Sequence, residues 1–144
     1  MKTMKKSIVL IALMLFASVS GFAQQTYTVK VVVKGLMEKS GKMYAAITRD
    51  SQDFPAVTGF KTASVDVKAD GEITLNLEGI PAGRYAIFLF QDMNGNQKLD
   101  MNGQMPAEPF GFSNLSTLMG PPSFDECAFE VNENKVIEIG LFSL

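Results

Sequence analysis

Asp92, Asn94, Asn96 and Asp100 place carboxylate and amide oxygens at alternating positions in Gln91-Asp92-Met93-Asn94-Gly95-Asn96-Gln97-Lys98-Leu99-Asp100. A hard cation such as Ca²⁺ takes 6–8 oxygen ligands at roughly 2.3–2.6 Å, and a short loop with oxygens at every second residue supplies them. Lys98 would add its backbone carbonyl, and Leu99 is the apolar residue that such a loop tucks into a core. The spacing predicts a turn organised by Ca²⁺. The match to D-x-[DN]-x-[DN]-G-x₅-E is incomplete. Gln97 stands where the tight turn wants glycine, and Gly103 stands where the bidentate glutamate belongs. Affinity is then weak, or a closing ligand such as Glu108 arrives from outside the loop. The competing reading is a polar loop whose Asx side chains cap their own backbone.

A second stretch, Glu108-Pro109-Phe110-Gly111-Phe112-Ser113-Asn114, combines a carboxylate, an amide and two aromatics. Such a set can line a groove for a carbohydrate or peptide. Alternatively, Phe110 and Phe112 plug the end of a sandwich while Ser113 and Asn114 pair backbone groups that a long loop leaves open. Catalysis finds fewer parts. The acids are Asp92, Asp100, Glu108, Asp125 and Glu126, Ser113 and Ser116 have no base, and the chain has no histidine. A two-carboxylate hydrolase is the weaker reading because Asp92 and Asp100 are better used on a cation; a non-catalytic protein is expected. Thioethers at Met93, Met101, Met105 and Met119 would select Cu(I), but adaptable packing suits them better. Cys127 is alone, which rules out an internal disulfide. It is expected to be a buried, inert thiol sharing a strand face with Phe129 and Val131.

Strands must position these residues. Val29, Val31 and Val33 alternate with Lys30, Val32 and Lys34, the period of a strand with one dry face. Further strands are expected at 41–48, 63–68, 72–77, 85–90, 124–131 and 136–141. Ala69-Asp70-Gly71 is an Asp-Gly hairpin signal between two of them, and Asn132-Glu133-Asn134 would close a last hairpin. Tyr85 to Phe90 is apolar on both faces, as a central strand covered twice would be. About seven strands in roughly 120 residues predict an all-β, antiparallel two-sheet sandwich. Ile73, Leu75 and Leu77 are expected to face Val29, Val31 and Val33, or Ile137, Ile139 and Leu141, across its core. Burial there is worth about 1.5–3 kcal/mol per large side chain. Between Asp92 and Ser123 lies one long connection with almost no strand pattern. Loops beyond about 12–15 residues tend to be functional or disordered, and Leu99, Met105, Phe110, Phe112, Leu115, Leu118 and Met119 argue for order.

The chain opens with Met1-Lys2-Thr3-Met4-Lys5-Lys6, an apolar run from Ser7 to Ala17, and small residues at Gly21 and Ala23. That pattern predicts a secretory signal peptide over 1–23, cleaved after Ala23, and a single domain over 24–144. The apolar run is short for a bilayer span, so no membrane anchor is expected to survive cleavage. Loss of Lys2, Lys5 and Lys6 lowers the 13 basic residues to 10 against 15 acidic ones, a formal charge of −5. Nucleic acids and anionic membranes are therefore poor partners.

Gly79-Ile80-Pro81-Ala82-Gly83-Arg84-Tyr85 resembles the turn-and-strand signature L-P-x-G-x-Y of transthyretin-like and collagen-adhesin-B-like sandwiches. It is followed by Asp92-x-Asn94-x-Asn96-x-x-Leu99-Asp100-x-Asn102, then Pro106-x-Glu108-Pro109-Phe110-Gly111-Phe112-Ser113-Asn114, then Pro122-x-Phe124-x-x-Cys127-Ala128-Phe129. Together these segments resemble the secreted bacterial family known as domain of unknown function 2141, over essentially the whole mature chain. The resemblance implies an immunoglobulin-like or prealbumin-like sandwich and export, and it brings no activity with it. Similar repeat modules of bacterial surface adhesins hold calcium in a D-x-N-x-N-G-x-x-D loop. The expected protein is thus an exported, non-catalytic binding or surface-assembly module, periplasmic or extracellular, with a protein or carbohydrate partner. The alternative is a periplasmic carrier of a small ligand.

Overall fold

The computed structural model describes residues 21, 23–56, 58–68 and 72–143. Nearly all of the leader over 1–23 and the Ala69-Asp70-Gly71 turn lie outside the described residues. The described chain is almost entirely β, with several sheets and one short helix. Its strands are β1 (Thr26–Lys34), β2 (Lys42–Thr48), β3 (Lys61–Asp66), β4 (Ile73–Pro81), β5 (Gly83–Asp92), β6 (Met101–Asn102), β7 (Met105–Pro106), β8 (Phe110–Phe112), β9 (Phe129–Val131) and β10 (Lys135–Gly140). The helix, α1, is Phe124–Cys127.

One sheet runs β10-β1-β4, and a larger one runs β3-β2-β5 with β8 and β9 also paired to β5. Alternation explains the first core. Val29, Val31 and Val33 of β1 and Ile73, Leu75 and Leu77 of β4 meet Met43, Ala45 and Ile47 of β2 and Tyr85, Ile87 and Leu89 of β5 in one buried cluster. The alternate residues of β5, Ala86, Phe88 and Phe90, point to the other face of the larger sheet. There they join Phe110, Phe112, Phe124 and Cys127 in a second buried cluster. Strand β5 is thus buried on both faces from Tyr85 to Asp92, as its unbroken apolar run requires.

Several expectations are corrected. Ile73, Leu75 and Leu77 face neither β1 nor the Ile137–Leu141 stretch across the core, because β10, β1 and β4 lie in one sheet; β4 is the antiparallel neighbour of β1, with Leu77 opposite Val29 and Ile73 opposite Val33. Pairing is not wholly antiparallel, because β10 runs parallel to β1 from Val29↔Lys135 to Lys34↔Gly140. Strands β9 and β10 form no hairpin, since β9 pairs with Gly83–Tyr85 of β5 in the other sheet. Asn134 sits in that crossing and accepts the Thr28 N–H at 2.9 Å. The segments at 61–66 and 73–81 likewise pair in different sheets, β3 with β2 and β4 with β1.

Residues 124–127 are helical rather than extended. Ser123 caps the helix by accepting the Glu126 N–H, while the Glu126 side chain accepts the Ser123 N–H at 2.7 Å. Ser-x-x-Glu is a reciprocal cap, and Pro121-Pro122 ahead of it cannot extend the turn backwards. Cys127 therefore ends a helix instead of sharing a strand face with Phe129 and Val131. The long connection also holds more regular structure than its sequence pattern indicates: β6 and β7 form a small ribbon, and β8 pairs with Phe88–Phe90 of β5.

Candidate functional site

The site begins where β5 leaves the sheet. Asp92 is only 1 % exposed, and its side chain lies on the outer face of the sheet, in alternation with Phe90. Its Oδ1 accepts the Gly95 N–H and its Oδ2 accepts the Gln97 N–H, both at 2.8 Å. The two bonds wrap the chain round one carboxylate. Asn94 Oδ1 then accepts the Asn96 N–H at 3.1 Å, and Asn96 Oδ1 accepts the Lys98 N–H at 2.9 Å. Two successive Asx turns result. The side-chain amides of both asparagines donate to Asp100, Asn94 to Oδ2 and Asn96 to Oδ1. Asp92, Asn94, Asn96 and Asp100 are therefore gathered by one loop. Lys98 enters it through its backbone.

Gln97 has φ of +62°, so the chain adopts the left-handed turn without the glycine that normally permits it. Leu99, next to Asp100, packs against the second core cluster. Gly41, at φ +80°, abuts the Asp92 carbonyl so closely that a side chain would collide with it. The turn before β2 thereby supports the start of the loop from the other side. Gln91 holds the same turn, donating from Nε2 to the carbonyls of Glu38 at 2.7 Å and Ser40 at 2.8 Å.

Glu108 is 6 % exposed and closes the loop by reaching back to its backbone. Its Oε1 accepts the Met93 N–H at 2.8 Å, and its Oε2 accepts the Asp100 N–H at 3.0 Å. One carboxylate thus straddles the two ends of the loop. The backbone repeats the staple, with Ala107 N–H donating to the Asp100 carbonyl at 2.8 Å and Gln91 N–H to the Pro109 carbonyl at 2.8 Å.

The rest of the 108–114 stretch is packing and pairing. Phe110 and Phe112 are 3 % and 4 % exposed. They lie over the outer face of the larger sheet, not at the end of a sandwich, with Phe112 5.2 Å from Phe88 between ring centroids. Gly111 fits between them because β10 crosses there; a Cβ would come within 2.6 Å of the Gly140 carbonyl oxygen. Ser113 Oγ accepts the Ile87 N–H at 2.8 Å and donates to the Cys127 carbonyl at 2.7 Å. Asn114 donates from Nδ2 to the Ala128 carbonyl at 2.6 Å. Cys127 is fully buried, and burial, with a smaller push from the Glu126 charge, raises its thiol to about 11.

The family description "Uncharacterized protein conserved in bacteria (DUF2141)" matches residues 31–139. The chain belongs to this family. No curated protein and no solved structure matches it. The DUF2141 match spans β1 to β10, and so takes in both sheets, the loop and the 108–114 segment.

Several contacts in this DUF2141 chain had no signal in the residue pattern. Glu108 was a candidate closing ligand, but its double grip on Met93 and Asp100 depends on a return of the chain that no spacing reveals. Ser113 and Asn114 pair backbone groups as expected, but their partners, Ile87, Cys127 and Ala128, lie too far along the chain for spacing to name them. Among the described residues, no three His, Cys, Asp or Glu side chains converge so as to hold a metal. A cation here would need the amide and carbonyl oxygens as well as the carboxylates, which is the donor set that the alternating spacing offers.

Proposed function

We propose that this DUF2141 protein is an exported, non-catalytic binding or surface-assembly module whose Asp92–Asp100 loop is ordered by Ca²⁺. One observation carries the reading: Asp92, Asn94, Asn96 and Asp100 are drawn together by a loop that takes a left-handed turn at Gln97. Asp100 receives two neutral amide donors, a partial positive charge where a dication would supply a full one. The oxygens of Asp92 and the two asparagines each accept one N–H, and each retains a lone pair for an ion. Hard oxygen donors of this kind suit Ca²⁺ rather than a soft metal. Export rests on the leader pattern over 1–23.

The non-catalytic reading is supported by what the acids already do. Glu108 is committed to two backbone N–H groups and Glu126 to the cap of α1. A carbohydrate groove around Glu108, Phe110 and Phe112 gains no support, because Glu108 is buried and committed to two backbone N–H groups and the two rings offer no hydrogen-bonding groups. We assign the fold to the immunoglobulin-like or transthyretin-like sandwiches on the strength of one corner. Tyr85, at the start of β5, donates its hydroxyl to the Pro81 carbonyl at 2.8 Å where the chain passes from one sheet to the other. A buried tyrosine bonded a few residues upstream at such a crossing is a hallmark of immunoglobulin-like domains.

Thermal melting of metal-stripped protein with and without Ca²⁺ tests the cation. Binding to the folded state alone raises the midpoint, by about 2.7 kcal/mol of stability at a hundredfold excess over Kd. An unchanged midpoint at millimolar Ca²⁺ would count against it.

A further inference from the structure

An apolar cleft of about 650 Å³ opens beside the loop, over the outer face of the larger sheet. Phe88, Phe110 and Phe112 form its buried base, and these rings belong to the second core cluster. Leu99 lines it from the loop, Met101 and Met105 from the β6–β7 ribbon, and Leu118, Pro121 and Pro122 from the segment before α1. Among the described residues, Gln104 is the one polar side chain in the lining, and no ionisable side chain takes part. The volume, equal to roughly twenty waters at about 30 Å³ each, falls within the 300–1,000 Å³ typical of small-molecule sites. Met101 and Met105 are each 52 % exposed. They give the rim flexible, polarisable side chains that mould to apolar shapes.

We propose that this cleft is a binding site for a neutral, apolar small molecule. The chemistry of the lining sets the class. A sugar needs several fixed hydrogen-bonding groups, and a single glutamine does not supply them. An acid would place its carboxylate against apolar walls with no cation to meet it, a costly arrangement. An uncharged aliphatic or aromatic body loses nothing there and releases water from phenyl, thioether and proline surfaces. The proposal deepens the binding-module reading given above and does not depend on the cation.

The test is a fluorescence titration of protein produced from the full-length chain, using the neutral apolar probe phenylnaphthylamine. Saturable binding at one site per chain is expected, with displacement by decanol. Met101→Lys and Met105→Lys each put a charge on the exposed rim and should weaken binding at least about tenfold, or 1.4 kcal/mol, while the melting midpoint stays near that of the parent. Parent-like affinity in both variants, or non-saturating fluorescence, would overturn the proposal. So would decanoate competing as well as decanol, because the ligand would then be an anion. A concentration-dependent dimer that the same two variants dissociate would also overturn it, by making a second copy the occupant. Probe binding that persists when Ca²⁺ leaves the melting midpoint unchanged would sink the metal reading alone.

Discussion

Asp92 and Glu108 are buried carboxylates that do similar work, each accepting two backbone N–H groups in the same loop. Bonds to a charged acceptor are worth about 1.5–3 kcal/mol, and leaving a buried N–H unpaired carries a comparable cost. Glu108→Ala frees the Met93 and Asp100 N–H groups together. It should destabilise the fold by about 2–4 kcal/mol on that basis, read from urea denaturation, while Glu108→Gln retains one acceptor and loses less. Gln97 tests the loop in the opposite direction. A side chain at φ +62° costs about 1–2 kcal/mol that glycine avoids. Part of that gain is lost to the greater freedom of glycine in the unfolded chain. Gln97→Gly should therefore stabilise by about 0.5–1 kcal/mol and tighten any Ca²⁺ site, since it restores the glycine of the D-x-N-x-N-G pattern. Cys127 gives a pH signature. Its thiol is raised from about 9 to about 11 in the folded chain, so its contribution to stability is complete below pH 9 and is lost as pH climbs through 11. Alkylation at pH 8 should be slow in the native protein and should match that of a free thiol in urea.

At the scale of elements, the long connection is the informative one. Of the apolar residues that argued for order, Leu99, Phe110, Phe112, Leu115 and Leu118 join the second core cluster, whereas Met105 and Met119 are exposed. The sheet they cover was legible as well, because Tyr85 to Phe90 is apolar on both faces and needed a second layer. Which segment supplies the next strand of that sheet was not legible. Strand β8 has three residues, too few to show a period, and its partners on β5 lie 20 to 24 positions back along the chain. The helix was missed for a different reason. Apolar residues at 124, 127, 129 and 131 fit a strand nearly as well as a turn of helix, and the signal that decides is the Ser123-x-x-Glu126 cap. Ser123→Ala should cost about 1 kcal/mol, measured by denaturation. The Glu126 carboxyl is held below its usual range by the Ser123 backbone N–H and then the hydroxyl. What the cap adds is thus present above the ordinary carboxylate value of 4.5 and fades as pH falls through the lowered one. A stability profile between pH 3 and 6 should lose that acid-side component in a Glu126→Gln variant and keep the larger part of it in Ser123→Ala, which retains the backbone N–H.

For the molecule as a whole, two sheets share one core, and a second apolar layer is folded onto the outer face of the larger sheet. Loop and layer are joined in sequence: Asp100 is followed by the β6–β7 ribbon, and Glu108 returns from beyond the ribbon to bind the loop. A cation at Asp92 would hold both ends of that arrangement and lower the cost of ordering the segment between them. Strand periodicity could not foresee which sheet each strand joins, and β9 and β10 show why: a three-residue turn that suits a hairpin instead carries the chain between sheets. The most direct test is an amide NMR titration of metal-stripped protein with Ca²⁺. Saturable shifts are expected at the Gly95, Gln97 and Asp100 amides, with Phe110 and Met105 following and the β10-β1-β4 sheet unmoved. Shifts that never saturate, or none among residues 92–108 at millimolar Ca²⁺, would show that no cation orders this loop.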